Sequence, residues 1–169
     1  MKFMDAVPVQ LLRDWFDYDP EKGTLSWKVD RQKNFAGSTA GSIDAKGYWR
    51  VGILGHYYLV HRVCWAIHHG QWPQLFLDHI NGQPGDNRIC NLRLATRHQN
   101  GMNQGPRSTN KSGFKGVYLH RVTGKYAATI CFQGRHRHLG LFIDPLEAHE
   151  VYCLASSLLF GDFSREARP

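Results

Sequence analysis

Long apolar runs are scarce in this sequence. The nearest, ILGHYYLV, is broken by His56. A helix that crosses a bilayer needs about 20 continuous apolar residues, so none is expected. The opening stretch, MKFMDAVPVQLLRDWFDYD, turns acidic within five positions and lacks the apolar segment of a signal peptide. A soluble cytoplasmic protein is expected. Paired cysteines are missing too: Cys64, Cys90, Cys131 and Cys153 form no C-x-x-C motif. That argues against a structural zinc site, which uses closely spaced ligands, and against the disulfide framework of a small secreted chain. Buried free thiols are the expectation. There is no long internal repeat and no low-complexity tract. With 169 residues and 42% hydrophobic content, the chain has room for one ordinary domain or two small ones and is not disordered.

Acidic residues are also in short supply. The net charge is +7, with ten histidines counted as neutral. Residues 1–100 carry twelve basic and nine acidic side chains, and residues 101–169 carry nine and five. Both parts are basic, so either suits a polyanion, of which nucleic acid is the commonest.

Residues 8–18, PVQLLRDWFDY, have the spacing of a short helix, with Pro8 in its first turn. DYDPEKG reads as a turn and TLSWKV as a strand. After a glycine-rich stretch come two strands, YWRVGI and YYLV. HRVCWAIHHG then reads as a helix ending at Gly70. FLDHI is a strand, NGQPGDN a long turn and LRLAT a second strand. Thr96 opens a helix through the T-R-H-Q capping pattern. Residues 101–113 lack apolar periodicity and read as a linker, whose Arg107 and Lys111 can lie along phosphates. Beyond it, FKGVYLHR, KYAATICF and RHRHLGLF read as three strands. D-P-L-E opens a final helix, with Val151, Leu154, Ala155, Leu158 and Leu159 as its expected apolar stripe.

The chemistry concentrates in LDHINGQPGDNRICNLRLATRHQN, residues 77–100. Asp78 is a hard oxygen ligand suited to Mg²⁺ or Mn²⁺. His79 titrates near physiological pH, and its neutral ring can take a proton from water. The ring works best when its second nitrogen is held, and Asn91 on the second strand is placed to hold it. Asn100, one turn into the helix, can supply a second ligand to the same ion. His98 is the alternative for that place. Asn87, in the G-D-N-R turn, is read as a loop residue, and His61 as structural or as a phosphate contact.

Asp78-His79-Ile80-Asn81-Gly82, followed by Asn91-Leu92 and then Asn100, resembles the HNH nuclease family. His61-Arg62, DYDPEKGTLSWK and GYWRV resemble phage homing-endonuclease members of that family. The resemblance covers about residues 11–104. Many members end the motif on His where this chain has Asn100. The resemblance implies a ββα-metal fold and phosphodiester hydrolysis of double-stranded DNA that leaves 5′-phosphate and 3′-hydroxyl ends. It implies one Mg²⁺ or Mn²⁺ per active site. The assigned roles are Asp78 and Asn100 as metal ligands, His79 as general base and Asn91 as its orienting residue.

Residues 113–165 resemble an AP2 DNA-binding domain. The match lies in Gly113-Phe114-Lys115-Gly116-Val117-Tyr118, Lys125-Tyr126-Ala127-Ala128, His138-Leu139-Gly140-Leu141-Phe142, Glu147-Ala148 and Tyr152. Such a domain lays a three-stranded sheet in the major groove with its helix behind. Strand alternation predicts an outward face of Lys115, Tyr118, Arg121, Lys125, Arg135 and Arg137. The expected fold class is α+β. An HNH region spans residues 1–104, with its ββα-metal core at about 75–104. A linker covers 105–112, and an AP2-like antiparallel sheet plus helix covers 113–169. The expected activity is that of a site-specific, phage-type homing endonuclease, monomeric and without a membrane partner, acting in the host bacterium's cytoplasm. The alternative is a non-catalytic DNA-binding regulator that keeps a degenerate HNH fold.

Overall fold

We describe a computed structural model of the chain over residues 7–31, 34–106 and 108–164. Arg107 lies outside the described residues. The chain divides into two compact units, Met1–Arg97 and His98–Pro169.

The first unit opens with α1 (Val9–Trp15) and then β1 (Phe16–Asp19), which pairs antiparallel with β2 (Thr24–Trp27). The helix is shorter than its apolar spacing predicts. Phe16 is already extended, and its ring is fully buried 4.6 Å from that of Trp27. Strand pairing thus takes over where the helical pattern still runs. A small sheet follows in the order β3 (Ser42–Ile43), β4 (Trp49–Ile53), β5 (His56–Leu59). α2 (Val60–His69) comes next and ends, as expected, on a left-handed Gly70. Leu12, Phe16, Leu25, Trp27, Val51, Ile53, Val63, Cys64 and Trp72 form the core. Each fully buried aliphatic side chain of this kind contributes about 1.5–3 kcal/mol. The unit's last hairpin is β6 (Phe76–His79) against β7 (Leu92–Ala95). The chain then enters α3 (Arg97–Met102).

The second unit carries an antiparallel sheet in the order β10 (Arg135–Phe142), β9 (Lys125–Phe132), β8 (Val117–His120), followed by α4 (Pro145–Phe160). Its core is small: Val117, Ala128 and Ala148, with Phe114, Tyr126, Leu139 and Phe142 packed around them. Asp144 caps α4 by accepting from the Leu146 N–H at 2.9 Å, as the D-P-L-E pattern implies. The buried face of α4 differs from the expected leucine stripe. Ala148, His149, Tyr152 and Ser156 face inward, while Leu154 and Leu158 are exposed. The sheet surface explains the rotation. Gly116 lies so close to Tyr152 that a Cβ there would meet the ring at 2.1 Å, so the tyrosine needs the glycine.

The four cysteines are free, as expected, but only Cys64 is fully buried; Cys90 and Cys131 are exposed. Residues 110–113 are also more ordered than a polar linker implies. The Asn110 amide oxygen accepts from the Ser112 and Gly113 N–H groups, and its Nδ2 donates to the Phe114 carbonyl. This stretch is therefore the built entrance to β8.

Candidate active site and nucleic-acid face

Asp78 and His79 end β6 and are almost wholly buried. The loop that follows is held by its own side chains. Asn91 accepts from the Asn81 N–H at 3.0 Å and donates to the Asn81 Oδ1 and to the Asp86 carbonyl, at 3.0 and 2.8 Å. Asn81 donates in turn to the Asp86 carboxylate at 2.8 Å. Arg88 grips the same carboxylate at 2.6 Å and, with the surrounding hydrogen bonds, holds it down to a pKa of about 2.

The amide on the histidine belongs to Asn87. Its Oδ1 lies 3.3 Å from His79 Nε2, and the contact is buried. An amide oxygen accepts, so the contact is a hydrogen bond in the tautomer that carries its proton on Nε2. The two asparagines thus sit differently around the ring. Asn91, cast as the residue that orients His79, spends its amide inside the loop. Asn87, read as a loop residue, holds the ring. The reason is local: the single 3-10 turn at Ile89–Asn91 turns Asn91 back toward Asn81.

Asn87 is itself anchored from the N-terminal hairpin. Tyr18 Oη donates to the Asn87 carbonyl at 2.8 Å, and the Ile89 N–H donates to the Pro20 carbonyl at 3.0 Å. Gly23, at φ +71°, permits this approach, since a Cβ there would stand 2.4 Å from the Arg88 nitrogen. DYDPEKG is thus a brace for the site.

Burial pushes the His79 pKa below the usual imidazole range, partly offset by Asn87 and by the charges of Asp78 and Asp86. The ring is therefore neutral at physiological pH, the form a general base needs. His61 packs edge-on against it with ring centroids 4.9 Å apart, and Tyr48 lies within 6 Å of both rings. His61 is buried, and its Nδ1 has no hydrogen-bond partner. Burial, then the neighbouring His79, holds its pKa down to about 3. The HRVCW helix start carried a hint of this ring, but nothing in the sequence marked it as lying against His79.

Asp78 pairs with Arg93, directly opposite it on β7, at 2.8 Å. Among the described residues, no three His, Cys, Asp or Glu side chains converge as a metal cluster. The donor chemistry at β6 is a buried carboxylate with amide-rich surroundings. Such oxygen donors fit a hard cation that keeps several waters and shares substrate oxygens. Asn100 is half-buried on α3, and His98 on the same helix is exposed.

In the second unit, register decides which side chains share a face. Ile130 is buried and the Phe132 ring lies 6.1 Å from Phe160 of α4, so their parity faces the helix. Arg137 pairs with Ile130 and Arg135 with Phe132, and directly paired residues share a face. Arg135 and Arg137, though exposed, therefore share the face of Ile130 and Phe132. The opposite face carries Tyr118, Lys125, Thr129, His136 and His138, by their pairings with Ala127, His120, His138 and Cys131. Arg121 is in the turn after β8. Lys115 precedes the sheet and gives its ammonium to the Met102 carbonyl. Thr129, Cys131 and His136 also line a cavity of about 470 Å³ beside Gly101 and Gln104.

The β6, loop and β7 segment lies within a stretch whose sequence has known relatives. Residues 58–102 match the HNH endonuclease family model, and this stretch is an HNH endonuclease domain. Such a domain implies DNA as substrate and a divalent metal as cofactor. The chain is similar to Protein 3.8 of Escherichia phage T7, 29% identical over 106 residues, covering 62% of this chain and 87% of that protein. It is also similar to the uncharacterized HNH endonuclease L560 of Acanthamoeba polyphaga mimivirus, 30% identical over 90 residues. That match covers 53% of this chain and spans about half, 46%, of the mimivirus protein. No solved structure matches.

Proposed function

We propose that the chain is a site-specific DNA endonuclease of the phage homing type, in which the HNH domain cuts and the AP2-like sheet finds the target. The observation that carries the reading is the buried His79–Asn87 pair, with the buried Asp78 next to His79 in the chain. His79 Nδ1 takes a proton from water, and the resulting hydroxide attacks phosphorus. The bond to the 3′-oxygen breaks and that oxygen takes a proton from solvent, leaving 3′-hydroxyl and 5′-phosphate ends. Asn87 fixes the tautomer through Nε2, and Asn91 keeps the loop in shape. Asp78 would hold one Mg²⁺ or Mn²⁺. When bound, the cation stabilises charge on the phosphate and on the leaving oxygen.

The face of the second unit that carries Tyr118, Lys125, His136 and His138 is the DNA-reading surface. A sheet of this size fits the major groove. A separate reader supplies the selectivity that phosphate contacts lack. The test is incubation of the full chain with supercoiled plasmid and Mg²⁺, with EDTA as control. Relaxed or linear product that disappears with EDTA supports the reading, and an intact plasmid that is nevertheless bound favours a DNA-binding regulator.

A further inference from the structure

Asp78 does not stand alone. Arg93 faces it in the register of β6 and β7, and both Nε and Nη2 reach the same carboxylate oxygen, Oδ2, at 2.8 Å. The side chains are sheltered, at 16% exposure for Arg93 and 5% for Asp78. A buried ion pair is costly to desolvate and is weak grounds for stability. This one also neutralises the carboxylate on which cation binding depends. Like charges repel strongly when partly shielded from water, so Arg93 and a divalent cation compete for Asp78. A DNA phosphate relieves that competition. It brings the negative charge that lets both cations stay, and a guanidinium binds phosphate oxygens as readily as carboxylate oxygens.

We propose that Arg93 couples cation entry to DNA: it holds Asp78 in the free protein and moves to an oxygen of the scissile phosphate when the cation takes the carboxylate. The inference rests on the reading of Asp78 as the cation's ligand. Arg93 is then a lock in the free protein and a phosphate contact in the complex. Cation affinity is low without DNA and rises with it, and by linkage DNA affinity rises with the cation.

The experiment is titration of the full chain with Mn²⁺ alone, without DNA, followed by the signal of free Mn²⁺ in electron paramagnetic resonance. R93Q should bind Mn²⁺ roughly tenfold more tightly than wild type. The same variant should cut plasmid about a hundredfold more slowly, because the phosphate contact is gone. An affinity equal to or weaker than wild type would overturn the proposal. D78N separates this from the underlying reading. If D78N binds Mn²⁺ as wild type does, Asp78 is not the ligand and the metal assignment itself is wrong. If D78N loses binding while R93Q gains none, only the coupling role fails. Should R93Q not fold, Arg93→Lys is read instead. It keeps one cation but not the paired donors, and its Mn²⁺ affinity should still exceed that of wild type; no gain there would also overturn the proposal.

Discussion

The two units use the same residue types in opposite ways. In the first, His61 and His79 are buried with Asp78, Asn87 and Asn91 around them. In the second, His136 and His138 stand exposed along an edge strand. A buried imidazole has its protonation set by its surroundings and can act on a proton. An exposed one is free to contact a partner. The contrast extends to arginine. Arg93 is enclosed and paired with one carboxylate, whereas Arg135 and Arg137 are exposed on the α4 side of their sheet. Burial, more than residue type, separates the chemistry from the recognition.

The contrast can be broken within the first unit by comparing its two asparagines. Asn87→Ala should slow cleavage roughly a hundredfold, since it frees the His79 tautomer, and lower stability by about 1 kcal/mol, less than the loop asparagine does. Asn91→Ala removes three loop hydrogen bonds and should lower stability by about 2–3 kcal/mol, measured by urea unfolding. If Asn91→Ala slows cutting more than Asn87→Ala at equal stability, the roles of the two asparagines are reversed.

The second unit offers the next effect. Replacing His136 and His138 together by alanine should weaken duplex binding roughly tenfold or more. Replacing Arg135 and Arg137 together should cost about threefold, through lost charge alone. Gel-shift titration at fixed salt reads both, and the opposite ranking would mean that the reading face is the helix side.

The smallest effect belongs to His61. Its folded pKa is held down to about 3, while the unfolded ring protonates near the usual 6.5. The stability of the neutral buried ring is fully present above about pH 6.5 and is lost as pH falls from there toward 3. His61→Leu should therefore flatten the fall in melting temperature between pH 7 and 5. At neutral pH it should add up to about 1 kcal/mol, because Nδ1 has no partner. An unchanged slope on the acid side would show that His61 is not kept neutral.

Much of this organisation was legible in residue patterns. The β6, β7 and α3 segments follow from FLDHI, LRLAT and T-R-H-Q, and the α4 cap follows from D-P-L-E. Asp78 and His79 stood out because an acid beside a histidine at a strand end has a ready chemical use. The choice between Asn87 and Asn91 was not legible. It depends on a 3-10 turn and on Tyr18 reaching the Asn87 carbonyl from 69 positions away. The face of β10 was partly legible. Leu139 belongs to the core, and counting back by two puts Arg137 and Arg135 on its side. Their charge suggests an outward face, while pairing with Ile130 and Phe132 fixes them beside α4. The irregularity between His138 and Gly140 further hides the alternation.

The most direct measurement pairs cutting with binding in His79→Ala. With Mg²⁺ and plasmid, cleavage should fall about a thousandfold, while the gel-shift affinity for duplex DNA stays within about twofold of wild type. Equal loss of cutting and binding, or cleavage that survives the substitution, would contradict a buried, neutral His79 as the base.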